Sequence, residues 1–210
     1  MSAVRFENVR FSYPSGVEAL RGVSFEVPTG QRLAIVGQNG AGKTTLVRHL
    51  NGIFQPTSGS VYVAATATTG RAIAELAASV GYVFQNPDEQ IFASTVIADV
   101  EFGPRNLGCS ADEARSRAMA ALETVGLAAE ADTHPLHLSL SERKRVALAG
   151  VLAMQTPIVV LDEPTTGQDA GGVAMVAGVV EALASAGRTV IAITHDMDFA
   201  AEHFDRVVVM

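Results

Sequence analysis

Gly37-Gln38-Asn39-Gly40-Ala41-Gly42-Lys43-Thr44-Thr45 fits the pattern G-x-x-x-x-G-K-[ST], with Gly37, Gly42, Lys43 and Thr44 at the required places. Leu33, Ala34, Ile35 and Val36 make a short apolar run before it, suited to a buried strand, and Leu46 to Leu50 continue as a helix. A strand, a glycine turn and a helix start together make an anion site. Backbone N–H groups converge there, and the helix dipole adds roughly half a positive charge. Glycines let the backbone approach phosphate oxygens without Cβ atoms in the way. In such a loop Lys43 bonds the β- and γ-phosphates and the Thr44 hydroxyl ligates Mg²⁺.

The 210 residues leave room for one or two domains and a sizeable core. Apolar content of 48% with 18% charged residues describes a globular chain rather than a disordered one. The net charge of −7, without a lysine- or arginine-rich block, argues against nucleic acid as the main partner. Arg143-Lys144-Arg145 is too short a basic run to reverse this. Cys109 stands alone, so no internal disulfide forms, and a reducing compartment fits. The N-terminus has no signal-peptide apolar region. A spanning helix needs roughly 20 apolar residues, and the longest uncharged apolar stretch, Ala170 to Val180, is about half that. The expectation is a soluble chain able to dock on a membrane component.

Along the chain, residues 4–13 alternate and predict one or two half-buried strands, broken at Glu7-Asn8 by a turn or bulge. Leu20 to Val27 and Gln31 to Val36 predict two more strands. Val61 to Val63 is a short strand, residues 64–70 a surface turn, Arg71 to Ser79 a short helix and Val80 to Gln85 a strand. A helix begins at Thr95 and is expected to be interrupted at Gly103-Pro104. Ser110 opens another, with Glu113 at capping-box spacing. Ser139 to Met154, Ala170 to Ala184 and Asp198 to His203 read as helices. Pro157 to Leu161, Thr189 to Thr194 and Arg206 onward read as strands. The chain therefore opens with an antiparallel β region, enters an α/β unit, and carries a mainly helical insertion before the α/β unit resumes.

Ile158-Val159-Val160-Leu161-Asp162-Glu163 is the second informative stretch. Four apolar residues carry a carboxylate to the C-terminal edge of a sheet, where ligands of open α/β sheets bind. Asp162 suits Mg²⁺ held through water, and Glu163, on the other side of the strand, suits a water aimed at a γ-phosphate.

Taken together, these motifs resemble those of an ATP-binding-cassette (ABC) ATPase over nearly the full chain. The resemblance implies a P-loop NTPase fold with an N-terminal antiparallel β region and an inserted helical subdomain. One nucleotide-binding domain then spans 1–210, with 1–85 and 156–210 as β subdomain plus core and 86–155 as the helical signature subdomain. It implies MgATP cradled by Gly37, Gln38, Asn39, Gly40, Ala41, Gly42, Lys43, Thr44 and Thr45. Tyr13 matches the aromatic residue that stacks on adenine. Gln85 matches the glutamine that senses Mg²⁺ and the γ-phosphate, and Asp169 the aspartate of the loop after Glu163. His195 matches the histidine that bonds the γ-phosphate. Mg²⁺ would rest on Thr44, Gln85 and, through water, Asp162, while Glu163, His195 and Lys43 would carry the chemistry.

Residues 80–108, with Asn86-Pro87-Asp88-Glu89-Gln90-Ile91-Phe92 and Phe102-Gly103-Pro104-Arg105-Asn106-Leu107, are similar to energy-coupling-factor transporter ATPases, including the subunit of cobalt and nickel importers. That branch implies a head-to-tail pair of ATPases, a homodimer or heterodimer, at the cytoplasmic face of the membrane. The pair drives a transmembrane T component bound to an S component that takes a vitamin or metal ion. Asp88, Glu89, Asp99 and Glu101 are candidates for an acidic groove that receives arginines of the T component.

The chain departs from the family at two places. The signature Leu-Ser-Gly-Gly-Gln is here Leu138-Ser139-Leu140-Ser141-Glu142; Ser139, expected to face the partner's nucleotide, is kept. Ser139 and Glu142 also have capping-box spacing. Gln168 stands where leucine is usual. The chain ends inside a predicted strand at Met210, where relatives continue, and a longer natural chain stays open. The degenerate signature predicts an asymmetric dimer. It also leaves open a mainly ATP-binding subunit, and a non-transport ABC ATPase is a third reading.

Overall fold

The computed structural model describes residues 1–210. β1 (Ser2–Ser12) pairs antiparallel with β2 (Glu18–Pro28). The alternation over residues 4–13 is one strand. Its break is a bulge at Asn8, whose φ is 47° and whose N–H donates to Ser24 Oγ at 2.8 Å. Asparagine tolerates left-handed backbone better than most side chains. β3 (Arg32–Val36) leads into the glycine turn and α1 (Lys43–Val47). β4 (Ser58–Val63) lies on the other side of β1 and turns back into β5 (Thr66–Ala67). The turn uses Ala64 and Ala65 at φ 48° and 66°. Positive φ at both central residues suits a tight hairpin, but two alanines give no such signal, and the expected surface turn concealed a strand.

α2 (Ile73–Ala77) precedes β6 (Val80–Val83), which ends two residues before Gln85. The helical insertion contains α3 (Val96–Asn106), α4 (Ala111–Thr124) and α5 (Leu140–Met154). Contrary to expectation, Gly103-Pro104 does not interrupt α3. Pro104 lies in the last turn, two residues from the end, so few helical residues follow the ladder bond that its missing N–H forfeits. Gly103 is needed there, because a Cβ would stand 2.5 Å from Met154 Cγ on α5. Ser110 caps α4 by accepting the Glu113 N–H at 3.2 Å, but the Glu113 side chain pairs with Arg117 instead of closing the box.

β7 (Ile158–Asp162), α6 (Ala170–Ser185), β8 (Thr189–Ile193), α7 (Met197–His203) and β9 (Arg206–Val209) complete the chain. Five parallel strands lie in the order β6-β7-β8-β3-β9, beside a four-stranded antiparallel sheet ordered β2-β1-β4-β5. The central strands β7 and β8 are buried at every residue because both faces are covered, whereas the edge strand β9 is mostly exposed. Leu33, Ile35, Ile158, Val160, Ile191 and Ile193 join Phe6 and Leu46 in the core towards the antiparallel sheet. Their neighbours Ala34, Val36, Val159, Leu161, Val190 and Ala192 join Leu148 and Val179 in the core under α5 and α6. Two cores thus clamp the sheet and carry the ends of β3, β6, β7 and β8 to one edge. No helix is long and apolar enough to cross a membrane.

Candidate active site

At that edge opens a cleft of about 540 Å³, lined by Tyr13, the loop from Asn39 to Thr45, Gln85, Glu163 and His195. The turn after β3 is built by necessity from glycine. Gly37 has φ 144° and Gly42 φ 94°, and a Cβ at either would collide with backbone carbonyl oxygen, of Met210 and of Ala19. Lys43 is buried, and its Nζ donates to Gly37 O at 2.8 Å and Gln38 O at 2.9 Å. The ammonium is therefore already aimed into the loop it would share with an anion.

α1 ends at Val47, three residues before the Leu50 expected from the sequence. The His49 ring bonds the Thr45 carbonyl at 2.7 Å, so the His49 N–H turns to Leu46 O at 3.3 Å and the helix tightens. His49 is fully buried against Phe11 and Phe54, and burial pushes its basicity down. Tyr13 stands edge-on to Phe11 and Phe54, and its hydroxyl lies 2.7 Å from Thr45 Oγ1. The ring is thereby tied to the first turn of α1.

The two carboxylates at the tip of β7 differ in environment. Asp162 is 1% exposed and accepts from Tyr82 Oη at 2.9 Å and Thr44 Oγ1 at 3.3 Å. Burial raises its pKa, partly offset by those two donors. Glu163 turns the chain with φ 52° and donates its N–H to Ile193 O at 2.9 Å. A left-handed non-glycine residue costs roughly 1–2 kcal/mol; here it directs the carboxylate to the cleft. Glu163 Oε1 lies 2.9 Å from His195 Nε2, and Oε2 accepts from Thr166 Oγ1 at 3.3 Å. Burial raises the pKa of Glu163 as well, with His195 opposing. His195 follows β8 and is half exposed. Gln85 is exposed at the cleft rim.

These residues suit Mg²⁺ without enclosing it. The cleft offers a hydroxyl, a carboxamide and a carboxylate, all hard oxygen donors, and no group of three metal-binding side chains closes a cage. That incomplete set fits an ion that keeps waters and takes phosphate oxygens.

Ser139 lies outside the cleft, at the start of α5. There the capping box is complete: Glu142 Oε2 accepts from Ser139 N at 2.8 Å and Ser139 Oγ at 2.7 Å. Those bonds hold the Glu142 carboxyl below its ordinary range.

The expected acidic groove is largely neutralised within the chain. Glu101 is buried, bound by Arg105 and, at 3.3 Å, by Arg115. Asp99 accepts the N–H groups of Phe92 and Ala93 at 2.8 Å. Asp88 pairs with Arg143 at 3.1 Å and Glu89 with Arg48 at 3.4 Å. What the surface presents instead is an edge-to-face pair, Phe92 and Phe102, with centroids 4.7 Å apart and exposures of 65% and 48%.

The ABC transporter family model matches residues 20–166. The chain belongs to that family. An energy-coupling factor transporter ATP-binding protein of Methanosphaera stadtmanae is 45% identical over 206 residues, covering 97% of this chain and 74% of the relative. The protein of the same name from Carboxydothermus hydrogenoformans is 45% identical over 208 residues, covering 99% and 77%. Among solved structures, cbiO1 of Clostridium perfringens, part of the ABC transporter complex cbiONQ, has a TM-score of 0.86 at 38% identity, covering 100% of this chain and 84% of that one. A dimeric ATP-binding cassette in a post-hydrolysis state with ADP and Pi has a TM-score of 0.90 at 28% identity, covering 99% and 94%.

The chain is therefore an ABC ATPase of the energy-coupling-factor type. Three residues at its site escaped sequence reading. Tyr82 supports Asp162. Gln90 accepts the Phe84 N–H at 3.1 Å and donates to Ala147 O at 2.9 Å, tying the segment after Gln85 to α5. Lys144 donates to Thr166 O at 2.7 Å and Glu163 O at 3.4 Å. Only Tyr82 had a signal: a phenol in an otherwise apolar buried strand needs a partner for its hydroxyl.

Proposed function

We propose that this ABC ATPase energises an energy-coupling-factor-type importer for a metal ion or vitamin, as a peripheral subunit on the cytoplasmic face of the membrane. The observation that carries the catalytic part is the Glu163–His195 pair, which shares one cleft with Lys43.

In this reading the triphosphate enters the loop from Gly37 to Thr45, and Lys43 Nζ exchanges its two carbonyl partners for β- and γ-phosphate oxygens. Tyr13 offers a ring face to adenine. Thr44, Gln85 and, through water, Asp162 would hold Mg²⁺, whose chemistry there would be charge neutralisation at the phosphate oxygens. Glu163, ionised, accepts a hydrogen bond from a water and aims it at the γ-phosphorus. His195 leaves Glu163 to donate to the γ-phosphate, which frees the carboxylate for that water. The second ATPase subunit, head to tail with this one, supplies its own Ser139-equivalent turn to the open side.

The relatives' names and the cbiONQ assembly support a transporter complex with transmembrane components as the partner, and the T and S components are the reading that the energy-coupling-factor resemblance gives it. Phe92 and Phe102 give the T component an aromatic anchor, since aromatic residues dominate binding energy at interface centres. A second reading, a subunit that binds ATP and contributes little to its partner's site, is favoured by the closed Ser139–Glu142 box alone.

The test is turnover of MgATP by the purified chain and by its membrane complex. Glu163→Gln is expected to abolish hydrolysis and retain ATP binding. Undiminished turnover removes Glu163 from this role. Failure of the chain to co-purify with a multispanning membrane protein removes the importer.

A further inference from the structure

Two departures from the family pattern, Ser141 for glycine and Gln168 for leucine, lie 27 residues apart in sequence and bond to each other. Ser141 Oγ donates to Gln168 Oε1 at 2.7 Å, and Gln168 Nε2 donates to Ser141 O at 3.4 Å. Space for this is reserved on α6: a Cβ at Gly172 would collide with Gln168 Oε1. One turn further along α5, on the same face, Lys144 holds the carbonyls of Thr166 and Glu163.

We propose that Ser141 and Gln168 are a positioning pair that fastens the signature turn of α5 to the loop leaving Glu163, and so fixes where the Glu163 carboxylate points. The inference rests on Glu163 as the residue that orients water. Glu163 needs such support. Its backbone is in the left-handed region, and within the loop itself only the Thr166 N–H, at 3.4 Å, and the Thr166 hydroxyl, at 3.3 Å, tie back to it. Bonds from α5 supply the outer anchorage. Leucine at 168 removes both bonds, whereas glycine or alanine at 141 removes the 2.7 Å bond and leaves only the longer one to the backbone carbonyl.

The test is amide hydrogen exchange at Thr166 and Gln168 in the full chain, with steady-state ATP hydrolysis beside it. Ser141→Ala and Gln168→Leu are each expected to speed exchange there by about five-fold or more, the worth of one hydrogen bond. The double variant is expected to add nothing beyond Gln168→Leu, which already removes both bonds. Gly172→Ala is the discriminating variant. It raises helix propensity, so a merely structural role predicts slower exchange; displacement of Gln168 predicts faster exchange. In turnover, kcat falls while KM for ATP is unchanged. Unchanged exchange in the single variants, or effects that multiply in the double, overturns the pair. If Glu163→Gln keeps full turnover, the Glu163 assignment fails separately, and exchange still decides whether the pair exists.

Discussion

His195 Nε2 and Glu163 Oε1, 2.9 Å apart, join the tips of two neighbouring parallel strands, β8 and β7. The Glu163 carboxylate is nonetheless held at a cost. It is buried beside Asp162, and burial raises its pKa above the ordinary 4.5. A raised carboxyl binds its proton more tightly in the folded state, so stability is fully present below the unfolded pKa and is lost as pH rises through the folded one. Glu163→Gln removes that loss and keeps an acceptor for His195. The variant is expected to melt higher than the natural chain at pH 8, by roughly 2–4 °C for each kcal/mol recovered. The gap should close on acidification towards pH 4.5. Thermal melts across that range check it, and an equal or lower midpoint at pH 8 counts against a destabilising carboxylate.

Tyr82 and Asp162 give a second prediction. The phenol donates to a carboxylate that is 1% exposed, and without it Asp162 loses a donor in a site that disfavours charge. Tyr82→Phe is expected to cost about 1–3 kcal/mol, the penalty for an unmade bond to a buried group. It should also raise the Asp162 pKa further. In the proposed mechanism hydrolysis needs Asp162 ionised, so turnover is then expected to fall off at a higher pH than in the natural chain. Urea melts and a pH–rate profile measure the two effects. An acid limb that stays in place would mean that Asp162 is not the ionisation being read.

Much of this arrangement was legible in the residues. The pattern from Gly37 to Thr44, the apolar strand ending at Asp162-Glu163, and the capped helices each have a local cause that acts over a few residues. What was hidden depends on contacts distant in sequence. The Tyr82 and Lys144 bonds each need a partner on another element, and periodicity cannot supply it. The acidic groove misled for the same reason only in part: Arg143, Arg48 and Arg115 come from elsewhere in the chain, whereas Asp99 takes the N–H groups of Phe92 and Ala93 just before it and Glu101 takes Arg105 one turn on. Asp88, Glu89, Asp99 and Glu101 look like free charge in the sequence, yet each is satisfied by a group brought by folding. The continuous α3 and the Ala64-Ala65 hairpin were missed where packing overrode the usual meaning of proline and alanine.

The aromatic pair on α3 and the preceding loop supplies a third prediction. Phe92 and Phe102 touch each other and solvent. Phe92→Ser with Phe102→Ser is expected to leave the fold and ATP binding intact, since neither ring belongs to a buried core. Association with the membrane component should weaken by at least about 2 kcal/mol, the loss expected for central interface anchors. Co-purification from membranes and nucleotide titration of the purified chain separate the two. Full association of the double variant would place the docking surface elsewhere.

The signature turn gives the last prediction. Ser139 Oγ and N–H both donate to Glu142 Oε2, so the start of α5 already holds an anion of its own. A helix start favours one negative group by converged donors and dipole, and a second polyanion meets that carboxylate's repulsion. Changing Leu140→Gly, Ser141→Gly and Glu142→Gln together removes the bulk of Leu140 and the charge of Glu142 while keeping Ser139. If the weak site of an asymmetric pair is set by this turn, turnover of a dimer built only from this chain should rise by roughly 10²–10³-fold, the usual worth of one preorganised donor. The substitution also breaks the Ser141–Gln168 bond, so Glu142→Gln alone is the cleaner comparison: it uncharges the turn and spares that bond. Its expected effect is smaller but of the same sign, and greatest at low ionic strength, where repulsion is least screened. High turnover by the natural chain alone, unchanged by either variant, would mean that the capped turn serves hydrolysis as it stands.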